Sequence, residues 1–228
     1  MNRYYNRRNF NVKNRSKFLF HVYALLFLAV LMLVIFEIVL FQTGIAQPMA
    51  RKMLGVSWLL ILGAFVLIGW FARRIVYRAK SKLAQYGSLL LYIIAKTIIL
   101  APLIYIADNT APGVIQYAAQ FTLICFLGLT FIAISSRRDF SFLGGLLRWG
   151  GLIAFILIIL AISMKISPGM WFSLGMIALA GASILYDTSR IVSRYSDDRY
   201  VAAATELFAS IALMFWYALR FFRRFAQN

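Results

Sequence analysis

Seven long apolar runs constrain this chain more than any other feature. A helix rises about 1.5 Å per residue, so roughly 20 consecutive apolar residues cross a hydrocarbon core of about 30 Å. Runs at 18–41, 56–75, 86–107, 114–135, 149–164, 168–186 and 203–222 reach or approach that length. Several are apolar on nearly every face, as lipid-exposed helices are. Little chain remains for a water-soluble domain. Of the 228 residues 63% are hydrophobic and 14% charged, against about 25% charged in a soluble domain. The expected class is all-α: a polytopic integral membrane protein with about seven transmembrane helices. A basic tail over 1–17 precedes a transmembrane domain over 18–225.

The charged minority is lopsided, with 24 Lys and Arg against 7 Asp and Glu, a formal charge of +17. Such a balance suits either nucleic acid or an anionic membrane surface. Position separates the two. The cations fall in short clusters between apolar runs, such as Arg73-Arg74, Arg137-Arg138 and Arg223-Arg224. The expected partner is therefore the lipid bilayer and not nucleic acid. The tail, with Arg3, Arg7 and Arg8 among Tyr4, Tyr5 and Phe10, reads as a disordered juxtamembrane segment.

Cation-rich and cation-poor loops alternate, and cationic loops stay on the cytoplasmic side. The leader and the clusters after the second, fourth and sixth runs are rich; the turn at 108–113 has no cation. This places the N-terminus in the cytoplasm. Arg220, Arg223 and Arg224 disagree, because seven spans put them outside. Either the last run re-enters or the bias is weak there; a full span is the reading adopted. The first run is read as a retained helix, since it exceeds the 7–15 residues of a signal peptide's apolar stretch and carries Glu37. Short loops and that retained helix suit a bacterial plasma (inner) membrane, and equally an organelle.

Breakers punctuate the runs: 109–113 contains Pro112-Gly113, and Pro168 opens the sixth helix. Pro102 lies inside the third run, where it is expected to kink the helix. Gly175, Ala178, Gly181 and Ala182 recur at about one-turn spacing and are expected at a close helix contact.

An ionisable group at the centre of a span costs about 2.5–3.5 kcal/mol on insertion scales, so each needs a reason. Glu37 either reaches interfacial water or belongs to a pathway. Lys96 either snorkels or pairs with a buried carboxylate. Asp187 ends the sixth run and Glu206 begins the seventh, on the same side. Glu206 and Ser210 share a face at i,i+4, and Asp187 and Arg190 are i,i+3 neighbours. Two carboxylates in a poorly hydrated site cannot both ionise cheaply, which makes the pair a candidate proton sensor or cation ligand. The alternative is a surface Asp187–Arg190 pair of little consequence.

Catalysis finds no support. Cys125 and His21 are the single residues of their types, too few for an ordinary zinc site, and the sequence carries no HExxH, no P-loop and no Ser–His–Asp signature around His21. No resident cofactor is expected.

Four stretches carry a resemblance. Phe126-Leu127-Gly128-Leu129-Thr130 precedes Ser136-Arg137-Arg138-Asp139-Phe140-Ser141-Phe142-Leu143-Gly144-Gly145. Ile184-Leu185-Tyr186-Asp187-Thr188-Ser189-Arg190-Ile191 follows, and Leu100-Ala101-Pro102-Leu103 lies upstream. Together they resemble the Bax inhibitor-1 family from the first helix onward. The resemblance implies seven helices with the last at the centre. It also implies a pH-sensitive calcium leak, with Ca²⁺ or H⁺ as the ion carried or sensed. The family's sensor is an aspartate pair on helices six and seven, latched by an arginine of helix two. Asp187 matches the first aspartate. The second falls at Ser210, with Glu206 one turn earlier. Arg73 or Arg74 matches the latch, and Arg190 is a further candidate.

Two functions of different class follow. One is a cation leak in which Asp187, Glu206 and Ser210 hold a proton or, as weak metal ligands, Ca²⁺, which prefers several oxygens. The other is a non-transporting regulatory partner of other membrane proteins, a membrane protease or a stress and cell-death pathway among them. The missing aspartate at Ser210 favours the second.

Overall fold

In the computed structural model, residues 12–55, 69, 74–76, 81–136, 139–164, 166, 169–196 and 198–227 are described. Within them lie seven α-helices. They are α1 (Val12–Gln42), α2 (Ala46–Gly55), α3 (Lys82–Thr110), α4 (Val114–Ser135), α5 (Leu143–Ser163), α6 (Met170–Ser193) and α7 (Tyr200–Phe225). A 3₁₀ turn, Phe140–Phe142, leads into α5. Six of the helices are long and apolar enough to cross a bilayer; α2 is short. The second apolar run, with Arg73, lies outside the described residues apart from Gly69 and 74–76, as do Arg137-Arg138 and Ser167-Pro168.

Most helices outrun the apolar stretches that predicted them. Val12–Lys17, read from sequence as tail, form the first turns of α1. Asp187 does not end its helix, because α6 continues to Ser193. Polar residues extend a helix readily once its apolar part is anchored. α2 was not expected; it turns Ala46 and Ala50 inward against α3 and leaves Arg51 and Lys52 exposed. Gly44 adopts φ 71° in the turn before it, a conformation that glycine takes without strain. α3 runs unbroken through the buried Pro102.

α7 is the hub. It packs against α1, α3, α4 and α6, and 67% of its most apolar window is buried, against 6% for α5. The side chains of α1 and α5 that face outward are large and apolar, such as Phe20, Phe27, Ile153 and Ile156. Lipid-facing helices need no polar face. Two core clusters stack along α7. One joins Phe18, Val22, Leu89, Ile184, Ile191, Val201 and Phe208 around its first half. The other joins Leu103, Ala107, Val114, Ile177, Tyr217 and Leu219 around its second half. α7 therefore runs the length of the bundle, with its two ends at opposite ends of it.

The small-residue contact on α6 is offset from the expected one. Ser173, Ala180, Gly181 and Ile184 are buried, whereas Gly175 and Ala178 are exposed. A methyl group on Gly181 would stand 3.2 Å from Leu129 Cδ1 and 3.6 Å from Met214 Cε, while one on Gly175 would meet nothing within 4 Å.

Candidate functional site

Ser183 and Asp187 are four residues apart on α6 and share a face. That face meets Ser210 of α7. The Ser210 hydroxyl donates to Asp187 Oδ2 at 2.8 Å, Ser183 Oγ donates to the same oxygen at 3.3 Å, and the two hydroxyls stand 2.9 Å apart. Asp187 is 7% and Ser210 5% exposed, so this carboxyl group depends on protein donors rather than water. Ser210 lies ten residues into α7, which sets the site about 15 Å from that helix's start.

One turn closer to the start of α7, Glu206 has different company. Tyr195 donates its hydroxyl to Glu206 Oε2 at 2.5 Å, and Arg190 Nη1 lies 3.8 Å from the same oxygen. The Arg190 guanidinium is 5.2 Å from the Tyr186 ring centroid and 5.6 Å from that of Tyr195, within reach of a cation–π attraction. Arg190 therefore bridges α6 to α7.

Three braces hold this end of the bundle. Arg15 of α1 donates to the carbonyls of Ile191, Val192 (3.2 Å) and Tyr195 (2.7 Å), satisfying acceptors that the end of α6 leaves without helical partners. Lys82 donates to Asp198 O at 2.6 Å, and Tyr86 and Tyr200 join hydroxyls at 2.8 Å. Asp139 caps the 3₁₀ turn through Ser141 and pairs with Arg194 at 2.8 Å. Ser141's hydroxyl, its backbone N–H and Arg194 hold the Asp139 carboxyl below the usual carboxylate range.

This is also the end where the sequence motifs converge. Phe140 N donates to Ser189 Oγ at 3.2 Å. A Cβ on Gly144 would stand only 3.0 Å from the Tyr186 ring. The loop leading into α5 thus lies directly on the Tyr186-Asp187-Thr188 segment of α6.

Residues 15–227 match the family described as Inhibitor of apoptosis-promoting Bax1. The chain belongs to the Bax inhibitor-1 family. Among curated proteins it is 33% identical over 120 residues to Protein LIFEGUARD 4 of Arabidopsis thaliana, covering 50% of this chain and 48% of that one. It is 33% identical over 118 residues to an uncharacterized membrane protein of Vibrio cholerae, covering 49% and 50%. A Pseudomonas aeruginosa protein is 29% identical over 119 residues, covering 52% and 53%. These matches span about half the length of each relative.

Membership makes this an integral membrane protein of the all-α, Bax inhibitor-1 kind, as its sequence implied. Of the candidate residues, Asp187 and Ser210 come together directly, and Glu206 joins them through α7 and Arg190. Arg74 is exposed, and Arg73 lies outside the described residues. Among the described residues no three His, Cys, Asp or Glu side chains gather as a metal site. Lys96 is buried, with its ammonium 5.4 Å from the Tyr92 ring centroid. His21 is exposed, with its Nδ1 2.6 Å from Lys17 O. Ser183, Tyr195, Asp139 and Arg15 were not singled out from sequence. For Ser183 the i,i+4 spacing to Asp187 was available; for Tyr195 and Arg15, which act from other segments, no local pattern was.

Proposed function

We propose that this Bax inhibitor-1 family protein is a pH-sensitive cation leak gated where α6 meets α7. The observation that carries the reading is the Asp187 carboxyl group, buried and held by two serine hydroxyls one turn from an Arg190–Glu206–Tyr195 bridge. In the closed arrangement the ionised carboxylates accept charge-assisted bonds, which are about twice as strong as neutral ones. Protonation of Asp187 removes the charge that strengthens the bonds it accepts from Ser210 and Ser183 and so weakens both contacts. Acid therefore loosens α6 from α7. Two carboxylates, two hydroxyls and water supply the hard oxygen donors that a passing Ca²⁺ takes. Arg190 fills the latch role from α6 itself. The cation-rich end of the bundle faces the cytoplasm in this reading.

The test is Ca²⁺ flux into liposomes holding the purified chain, measured over a pH series. Flux should rise in acid, and Asp187→Asn should flatten the response. An unchanged profile in that variant would sink the assignment.

One observation favours a second reading, a regulatory partner of other membrane proteins that carries no ion. Ser210 stands where a second aspartate is expected, and its hydroxyl donates to Asp187 as a helix clamp. Ser210→Asp separates the two. Acid-sensitive flux that appears only in that variant, together with cross-linking of the parent chain to a discrete membrane protein such as a protease, supports the regulator.

A further inference from the structure

Among the described residues, α1 and α4 both pack on α7 and leave a gap between them. A cavity of about 640 Å³ fills that gap, within the range of about 300–1,000 Å³ that small-molecule sites occupy. Its walls are apolar, with Leu100 of α3, Leu123 of α4 and Phe208 and Phe215 of α7 among them. Two carboxyl groups interrupt this lining. Asp108 sits near the end of α3 and is exposed. Glu37 of α1 lies roughly 8 Å below the end of its helix, is 9% exposed, and has no hydrogen-bond partner for either oxygen among the described residues.

A buried carboxylate accepts up to four hydrogen bonds and donates none, and leaving it unpaired is costly. No Lys, Arg or His lines the cavity among the described residues. The missing component is a positively charged donor attached to something apolar. The geometry points to a binding site for a membrane-dissolved primary alkylamine in this groove. Its ammonium group meets Glu37, with Asp108 at the mouth, and its chain runs along α7 between α1 and α4. The lateral opening admits it from the lipid. Head and tail are both specified: a carboxylate-headed chain would be repelled, and an alcohol would supply one donor and no charge.

The test uses the full chain in detergent and native mass spectrometry with dodecylamine, dodecanol and dodecanoate. Dodecylamine should bind saturably, one per chain, at least about tenfold more tightly than either other probe. Glu37→Gln should bring its affinity down to that of dodecanol. Leu123→Trp, which fills the groove while keeping Glu37, should abolish binding of dodecylamine; this arm decides the matter if Glu37→Gln does not fold. Equal affinity for amine and alcohol would overturn the proposal. So would amine binding that survives both variants, or a stable dimer whose formation excludes the amine, which would make the groove a contact between copies of this chain.

Discussion

At the scale of single residues, the site is a hydrogen-bond problem solved with serines. Ser210→Ala removes the 2.8 Å donor to Asp187 and leaves Ser183 at 3.3 Å as its remaining serine contact. Interhelical polar contacts in membranes average about 0.6 kcal/mol and reach about 1.7. The clamp joins buried groups, so the upper part of that range is expected, read as a loss of unfolding free energy in detergent. Ser210→Thr keeps the donor and should restore most of it. Asp187 and Glu206 were legible in sequence because a charge in a span always asks for an explanation. Their partners were less so. A serine in a helix carries no mark of its use, and the choice of Arg190 for Glu206 rather than a surface pairing with Asp187 depends on how α6 and α7 are rotated. Periodicity along either helix alone does not fix that rotation.

At the scale of elements, glycine placement sets how closely helices approach. Gly181 lies under Leu129 and Met214, whereas Gly175 faces open space. Gly181→Leu should therefore destabilise by about 1–3 kcal/mol, the usual cost of overpacking, and Gly175→Leu should be tolerated; thermal unfolding of both variants in one detergent checks the contrast. Sequence spacing grouped the two glycines because both fit a helical repeat. The loop into α5 depends instead on charge. The Asp139 carboxyl is held below its unfolded value of about 3.9. A depressed folded value means the tether to Ser141 and Arg194 is complete above that value and is lost as pH falls through the lower, folded one. Hydrogen-exchange protection at 140–142, taken relative to intrinsic amide exchange at each pH, should fall below about pH 4, and Asp139→Asn should lower it at neutral pH. Exposure at this pair keeps the effect local.

At the scale of the whole molecule, the relative direction of the described helices follows from how the ends are tied together. Arg15 of α1 binds the end of α6, and Lys82 of α3 binds the segment before α7. One end of the bundle thus holds the starts of α1, α3 and α7. The far end holds Tyr217 and Leu219 beside Ala107 and Val114. Arg220, Arg223 and Arg224 follow at that far end, against the charge rule but in step with the helices. The rule concerns loops during insertion, and a helix packed against four others has packing to set against a few charges. Orientation can be read with single thiols. With Cys125 replaced by alanine, Ser16→Cys and Gln227→Cys should label on opposite sides of the membrane. A membrane-impermeant maleimide added to intact cells should reach Gln227→Cys at once and Ser16→Cys only after permeabilisation. Labelling of both from one side would mean that α7 does not cross. Labelling in the reverse order would keep the fold but put the Asp187 site on the outer face, where a cytoplasmic acid response through it fails.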